Sequence, residues 1–179
     1  MTMNRLSKGY VQIYTGNGKG KTTAALGQAL RAAGTGLKSF IVQFMKNCPY
    51  GEIHSLSFLR YWITIKQYGN DRFVLEKELP TDEDIQVAQK ALHQARKAMV
   101  SGKYDIIILD EICISLYYNL INLEQIMRFL LDKPEHVEII LTGRYCPKEL
   151  LEKADLVTEM KEIKHYYQKG VSARKGVES

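Results

Sequence analysis

The chain has 179 residues, 45% of them apolar and 25% charged, with a net charge of +5 at neutral pH. A chain of this size and composition folds as one globular domain burying roughly 70% of its unfolded surface, and no stretch nears the roughly 18 to 20 uncharged apolar residues of a membrane span. The start, MTMNRLSKGYVQIY, lacks the charged segment, apolar run and small-residue cleavage site of a secretory leader, which predicts a cytoplasmic protein.

The first strand is expected over residues 10–14, followed by a helix from Lys21 to Ala33 that Gly34 and Gly36 halt. Further apolar, β-branched runs of strand length lie at 39–44, 62–65, 105–109, 137–141 and 156–158. Several are apolar on consecutive positions, as strands covered on both faces of a parallel sheet are. Trp62 falls in one of these runs and is expected in the core. Thr81 with Asp84 reads as a capping box, after which Ile85, Ala88, Leu92, Ala95 and Met99 recur at steps of three and four until Gly102. Shorter helices are expected over 122–131, before Pro134, and from Pro147 onward. Alternating strands and helices, without repeat or linker, predict a single α/β domain over residues 1–179 with right-handed crossovers. Cys48, Cys113 and Cys146 are odd in number and have no metal-ligand spacing, so they are expected as reduced thiols.

The stretch IYTGNGKGKTTAA, residues 13–25, lies where the first strand gives way to the first helix. At that end of a strand a helix N-terminus presents unpaired N–H groups and partial positive charge. Gly16, Gly18 and Gly20 let backbone N–H groups approach oxygen atoms with no Cβ in the way, Lys21 adds a mobile charge, and the Thr22 hydroxyl suits magnesium. The octet TGNGKGKT matches the phosphate-loop pattern GxxxxGK[ST] except that Thr15 stands at the first glycine. A plain surface turn does not account for GKTT at a helix start, so these residues predict phosphate binding.

YDIIILDE, residues 104–111, reads as a buried strand ending in two acids, the form of the second nucleotide-site motif in phosphate-loop enzymes. Such acids hold magnesium directly or through water, and on a strand Asp110 and Glu111 would point in opposite directions and do different jobs. LTGRY, residues 141–145, delivers Arg144 to the same edge of the sheet, where a guanidinium clamps a phosphate. The sequence has no NKxD base-reading motif and no arginine-rich lid, which argues against a GTPase and a small-molecule kinase.

TGNGKGKTTAALGQALRAAGTG, VQFMK followed by YGE, YDIIILDE, ILTGRYCPKELLEKADLVTEMKEIKH and KGVSARKGVE together resemble the phosphate-loop ATP:corrinoid adenosyltransferases, in order along nearly the whole chain. The threonine-first loop and the pair TGR with ADLVTEM make the resemblance specific. It implies a phosphate-loop NTPase (RecA-like) fold in three layers around a mostly parallel sheet. It also implies transfer of the 5′-deoxyadenosyl group of ATP to the Co(I) of a reduced corrinoid, in cobalamin biosynthesis or salvage, with release of triphosphate. Co(I) is itself a strong nucleophile, so the protein supplies placement and charge rather than a base. Carried onto this chain, the resemblance implies that Thr15, Gly16, Asn17, Gly18, Lys19, Gly20, Lys21, Thr22 and Thr23 form the triphosphate cradle, with Asn17 close to the ribose. ATP lies reversed in it, presenting the 5′ carbon. Lys21 neutralises the departing triphosphate, Thr22 and Glu111 hold Mg²⁺ or Mn²⁺, and Arg144 contacts a phosphate. A homodimer and an electron donor such as a flavodoxin or flavin reductase are implied as well.

The family's Phe-x-Trp pair beneath the corrin has no counterpart in QYGNDRFVLEKE, where Phe73 is the candidate replacement and Tyr68 the second, although Phe73 equally fits an ordinary core position. The nine residues before Tyr10 are too few for the N-terminal helix that some members lay over the active site. The tail KHYYQKGVSARKG matches the family's closing segment and places His165 near a ligand. It is also basic and aromatic, as a nucleic-acid strip is. The alternative reading is therefore a RecA-like ATPase domain that binds nucleic acid, with a nucleotide-binding regulator without chemistry as a third.

Overall fold

The computed structural model describes residues 5–48, 50–69 and 79–178. Its six strands, β1 (Val11–Thr15), β2 (Ser39–Phe44), β3 (Ile63–Tyr68), β4 (Ile106–Asp110), β5 (Glu138–Thr142) and β6 (Leu156–Glu159), form one sheet in the order β3-β2-β4-β5-β1-β6. All pairings are parallel; Ile13 of β1 lies opposite Leu141 of β5 on one side and Val157 of β6 on the other.

The helices are α1 (Lys21–Gly34), α2 (Gly51–Ser57), α3 (Asp82–Val100), α4 (Ile112–Tyr117), α5 (Leu123–Leu131) and α6 (Lys148–Leu151), followed by a 3₁₀ turn, Tyr166–Lys169. Side chains on β4 alternate between the two faces of the sheet. Ile106 and Ile108 pack with Ala25, Ala29, Ala32 and Ala33 of α1. Ile107 and Leu109 join Ala88, Ala95 and Met99 of α3 and Ile126 and Phe129 of α5. Small alanines bring α1 close to the sheet, and the three layers follow from burying both faces of β2, β4 and β5. Thr81 and Asp84 form the anticipated capping box, and Asn122 with Gln125 forms a second at the start of α5.

Four expectations change. β6 is exposed throughout, because this edge strand pairs only with β1 and no layer covers its faces, so its apolar run is not buried on both sides. Trp62 sits ahead of β3 rather than in it, half-buried against the α1 side with Tyr61 edge-on at 4.6 Å. α2 and α4 are short helices that propensity and periodicity did not announce. β4 ends at Asp110, and Glu111 opens α4 in a left-handed conformation with φ 64°, so the two acids differ by this turn and not by strand alternation. Phe73 lies outside the described residues. Among the described residues no helix is long and apolar enough to cross a membrane.

Candidate active site

The loops that leave β1, β2, β4 and β5 all emerge at the carboxyl edge of the sheet, where the glycine-rich loop enters α1. Thr15, at the end of β1, donates from its hydroxyl to Gly143 O over 2.9 Å and so ties the loop's base to the turn after β5. Met160, just past β6, straps the other side: Met160 N–H donates to Thr15 O, and Gly18 N–H donates to Met160 O over 2.6 Å. A Cβ on Gly16 or Gly18 would stand 2.5 or 2.6 Å from Met160 O, so these two glycines are required by the strap. Gly20 has φ 118° and precedes α1 without a side-chain cap. With no acid in its first turn, α1 presents unpaired N–H groups and an uncompensated positive end.

Lys21 is buried and curls back over the loop, donating to Gly16 O and Gly18 O over 2.8 Å each. Burial pushes its ammonium below the usual lysine range, with the Glu111 charge pulling the other way. Thr22 donates from its hydroxyl to Asp110 Oδ1 over 2.9 Å.

Asp110 is fully buried and saturated. Its Oδ1 also accepts from Thr142 over 2.7 Å, and its Oδ2 accepts from Lys46 over 2.9 Å and Gln43 over 3.1 Å. Burial alone would raise its pKa, but the Lys46 charge and the bonds from Lys46, Thr142 and Thr22 hold it below the usual range. Thr142 accepts from Glu111 N–H over 2.9 Å, joining the two acids through one hydroxyl. Burial and the Asp110 charge push Glu111 above the usual range, against Lys46, Lys21 and Arg144.

These groups border a cavity of about 680 Å³ lined by residues 17–23 of the loop, Lys46, Tyr50, Glu52, Glu111 and Arg144, and by His165, Gly176, Val177 and Glu178 of the C-terminal segment. Lys19 donates to Val177 O and pairs with Glu178 over 2.9 Å, and Arg174 and the Tyr166 hydroxyl bond the same carboxylate. Of the residues marked by sequence, Asn17, Gly18, Lys19, Gly20, Lys21, Thr22, Thr23, Glu111 and Arg144 line this one cavity, while Thr15 and Gly16 build its base. Tyr68, at the end of β3, packs against the core.

Gln43 and Lys46 lie in the stretch VQFMK and Thr142 in TGR, but the sequence assigned none of the three a role in the site. Lys46 follows the apolar run of β2, Gln43 lies within that run, and Thr142 closes β5.

The donors suit a hard cation such as magnesium. Both Asp110 oxygens are occupied, whereas the Glu111 carboxylate accepts no hydrogen bond among the described residues and faces the cavity beside Thr22. Thr22 Oγ1 and Glu111 would hold such an ion with phosphate and water oxygens completing its shell. Among the described residues no group of three or more His, Cys, Asp or Glu is placed to hold a metal ion.

Comparison with known proteins agrees with this geometry. Residues 7–179 match the family model described as ATP:corrinoid adenosyltransferase BtuR/CobO/CobP. The corrinoid adenosyltransferase of Escherichia coli (strain K12) is 33% identical over 172 residues, 96% of this chain and 86% of the relative. The corrinoid adenosyltransferase CobA of Salmonella typhimurium is 35% identical over 173 residues, again 96% and 86%. Among solved structures, flagellar accessory protein FlaH from Methanocaldococcus jannaschii superimposes with TM-score 0.58 at 15% identity, covering 86% of this chain and 72% of that one. A KaiC-like protein from Pyrococcus horikoshii OT3 gives 0.55 at 20% identity, covering 85% and 73%. At such identity these two likenesses speak for the phosphate-loop α/β fold alone. The match to the family model along the chain, with relatives of the same length class, shows that this protein belongs to the ATP:corrinoid adenosyltransferase family.

Proposed function

We propose that the 680 Å³ cavity binds ATP with its triphosphate on the glycine-rich loop and its 5′ carbon turned outward toward a reduced corrinoid. The chain is an ATP-dependent corrinoid adenosyltransferase. In the reaction the Co(I) lone pair forms a bond to C5′, the C5′–O bond breaks, and triphosphate leaves with that electron pair. No proton need be removed from a nucleophile. The chain's work is to hold the leaving group and place the carbon.

The observation that carries the reading is the convergence of Lys19, Lys21, Lys46 and Arg144, with the uncapped start of α1, on one cavity. Lys21 gives up its two carbonyl partners for phosphate oxygens, and Arg144 contacts the same group. Asn17 lies toward the ribose, and Thr23 adds a hydroxyl beside Thr22. Thr22 and Glu111 would hold a Mg²⁺ or Mn²⁺ ion, which when bound would supply Lewis-acid charge toward the triphosphate. Phe73 remains the candidate for the corrinoid side by resemblance alone, and the enzyme works as a cytoplasmic homodimer with a flavodoxin or flavin reductase as electron donor.

The nucleic-acid alternative is less well supported, because the C-terminal segment folds onto the nucleotide cavity, where Arg174 is paired with Glu178. Phosphorus NMR of the products made anaerobically from ATP and a Co(I) corrinoid separates the two. Free triphosphate is expected. Phosphate and ADP, formed without corrinoid and stimulated by single-stranded nucleic acid, would favour the ATPase.

A further inference from the structure

Lys46 holds the place in this site that a bridging cation would take. It follows Met45, whose φ of 57° turns the chain sharply at the end of β2, and its own N–H is anchored on Tyr68 O over 3.3 Å. The side chain is thereby aimed back under the loop. Its Nζ lies 2.9 Å from Asp110 Oδ2 and 3.5 Å from Thr22 Oγ1, the two groups that the second acid motif and the phosphate loop bring together. Gln43 shares Asp110 Oδ2 and is itself held by Gln67, whose amide donates to Gln43 Oε1 over 3.0 Å, so the arrangement is built from below. Lys46 is mostly buried yet borders both the 680 Å³ cavity and an adjoining one of about 270 Å³ lined by Phe44, Met45, Tyr50 and Ile114.

We propose that Lys46 is a positioning residue that acts as a resident cation on Asp110 Oδ2, barring any divalent ion from Asp110 and leaving that ion to Thr22 and Glu111. The inference rests on the reading that this cavity takes the triphosphate of ATP. Two cations do not share that carboxylate without strong repulsion at low dielectric. The ammonium therefore supplies part of the positive charge that a phosphate-loop protein otherwise draws from its metal. Triphosphate binding here depends only weakly on a divalent ion, and Lys46 sets how weakly.

The readout is the ratio of the ATP dissociation constant in EDTA to that in saturating Mn²⁺, measured by calorimetry and, for the ion, by Mn²⁺ paramagnetic resonance. By linkage the same ratio describes how much ATP tightens the ion. The wild-type ratio is expected below about tenfold, toward the low end of usual coupling factors. In Lys46→Gln, whose amide still donates to Asp110, the ratio is expected to rise by about tenfold or more, through weaker ATP binding in EDTA and tighter Mn²⁺ binding in the ternary complex. A lysine whose charge neither the ion nor the triphosphate feels leaves the ratio where it was. A wild-type ratio of about tenfold or more, or an unchanged ratio in the variant, overturns the proposal; the wild-type value decides the matter if the variant does not fold. Failure to bind ATP under either condition would instead contradict the nucleotide reading itself.

Discussion

The hydroxyl of Thr22, in the first turn of α1, donates to Asp110 Oδ1 at the end of β4 over 2.9 Å, and the same oxygen accepts from Thr142 of β5. One buried carboxylate thus joins the phosphate loop to two neighbouring strand ends. Thr142→Val removes a bond to Asp110 and the acceptor for Glu111 N–H together. It is expected to cost about 1–3 kcal/mol of stability by urea denaturation and to lower activity as the two acids lose their common support. A change within about 0.5 kcal/mol, the level of an ordinary surface substitution, would mean that this hydroxyl links nothing.

Asp110→Ala leaves the Lys46 ammonium without its carboxylate. Removing one member of a buried pair costs about 3–5 kcal/mol, and Asp110→Asn is expected to cost less because it keeps an acceptor. Thermal denaturation of both variants checks the order. Equal losses would show that the lost charge accounts for the whole effect and that the acceptor kept by asparagine contributes nothing.

Gly143 stands at φ 136°, and a Cβ there would lie 2.9 Å from Cys113 Cβ and 3.0 Å from the backbone N of Cys113 and of Ile114. Both the conformation and the contact with backbone forbid a side chain. Gly143→Ala is expected to lose at least about 2 kcal/mol and to displace Arg144 from the cavity, which a rise in the KM for ATP would report. A folded, fully active Gly143→Ala would contradict the described turn.

The C-terminal segment is closed over the loop by Glu178, which Arg174, Tyr166 and Lys19 bind. Hydrogen bonds from Arg174 first, then from Tyr166 and Lys19, hold its carboxyl far below the usual range. A lowered carboxyl stabilises the closed segment above its unfolded value near 4.5, and that contribution is lost as pH falls through the lowered value. The closure therefore persists at pH 5. Amide exchange at Arg174, whose N–H donates to Glu178 Oε2 over 2.9 Å, should be slowed there in the wild type and fast in Glu178→Gln. High salt should narrow the difference, since these charges face solvent. Equal exchange at low salt would mean that the segment is not held by this carboxylate.

Much of this fold was legible because its signals are local. The strand runs, the Thr81–Asp84 box and the glycines after α1 each depend on a few neighbouring residues. The exposure of β6 was not legible, since Leu156 and Val157 look like core residues until the sheet order makes them an edge. Gly16 and Gly18 were expected for phosphate approach. A Cβ on either would first meet the Met160 carbonyl, which lies far away in sequence. Lys46 and Thr142 lie in stretches that carry the resemblance, but their roles were not legible, because each acquires its role only when β2, β4 and β5 lie side by side. The loop, Glu111 and Arg144 were visible because a recurring motif reports such long-range geometry indirectly.

The reading that this cavity hands adenosine rather than phosphate to its acceptor makes the fate of the adenosine carbon decisive. The most direct measurement is anaerobic transfer of label from ATP carrying ¹⁴C in the adenosine moiety to reduced corrinoid, with triphosphate measured in the same samples. A light-sensitive, labelled alkylcorrinoid is expected, formed one-for-one with triphosphate, with a loss of at least about a hundredfold in rate in Lys21→Ala, the scale for removing one charge-stabilising donor. Label remaining in nucleotide while ADP and phosphate accumulate would contradict it.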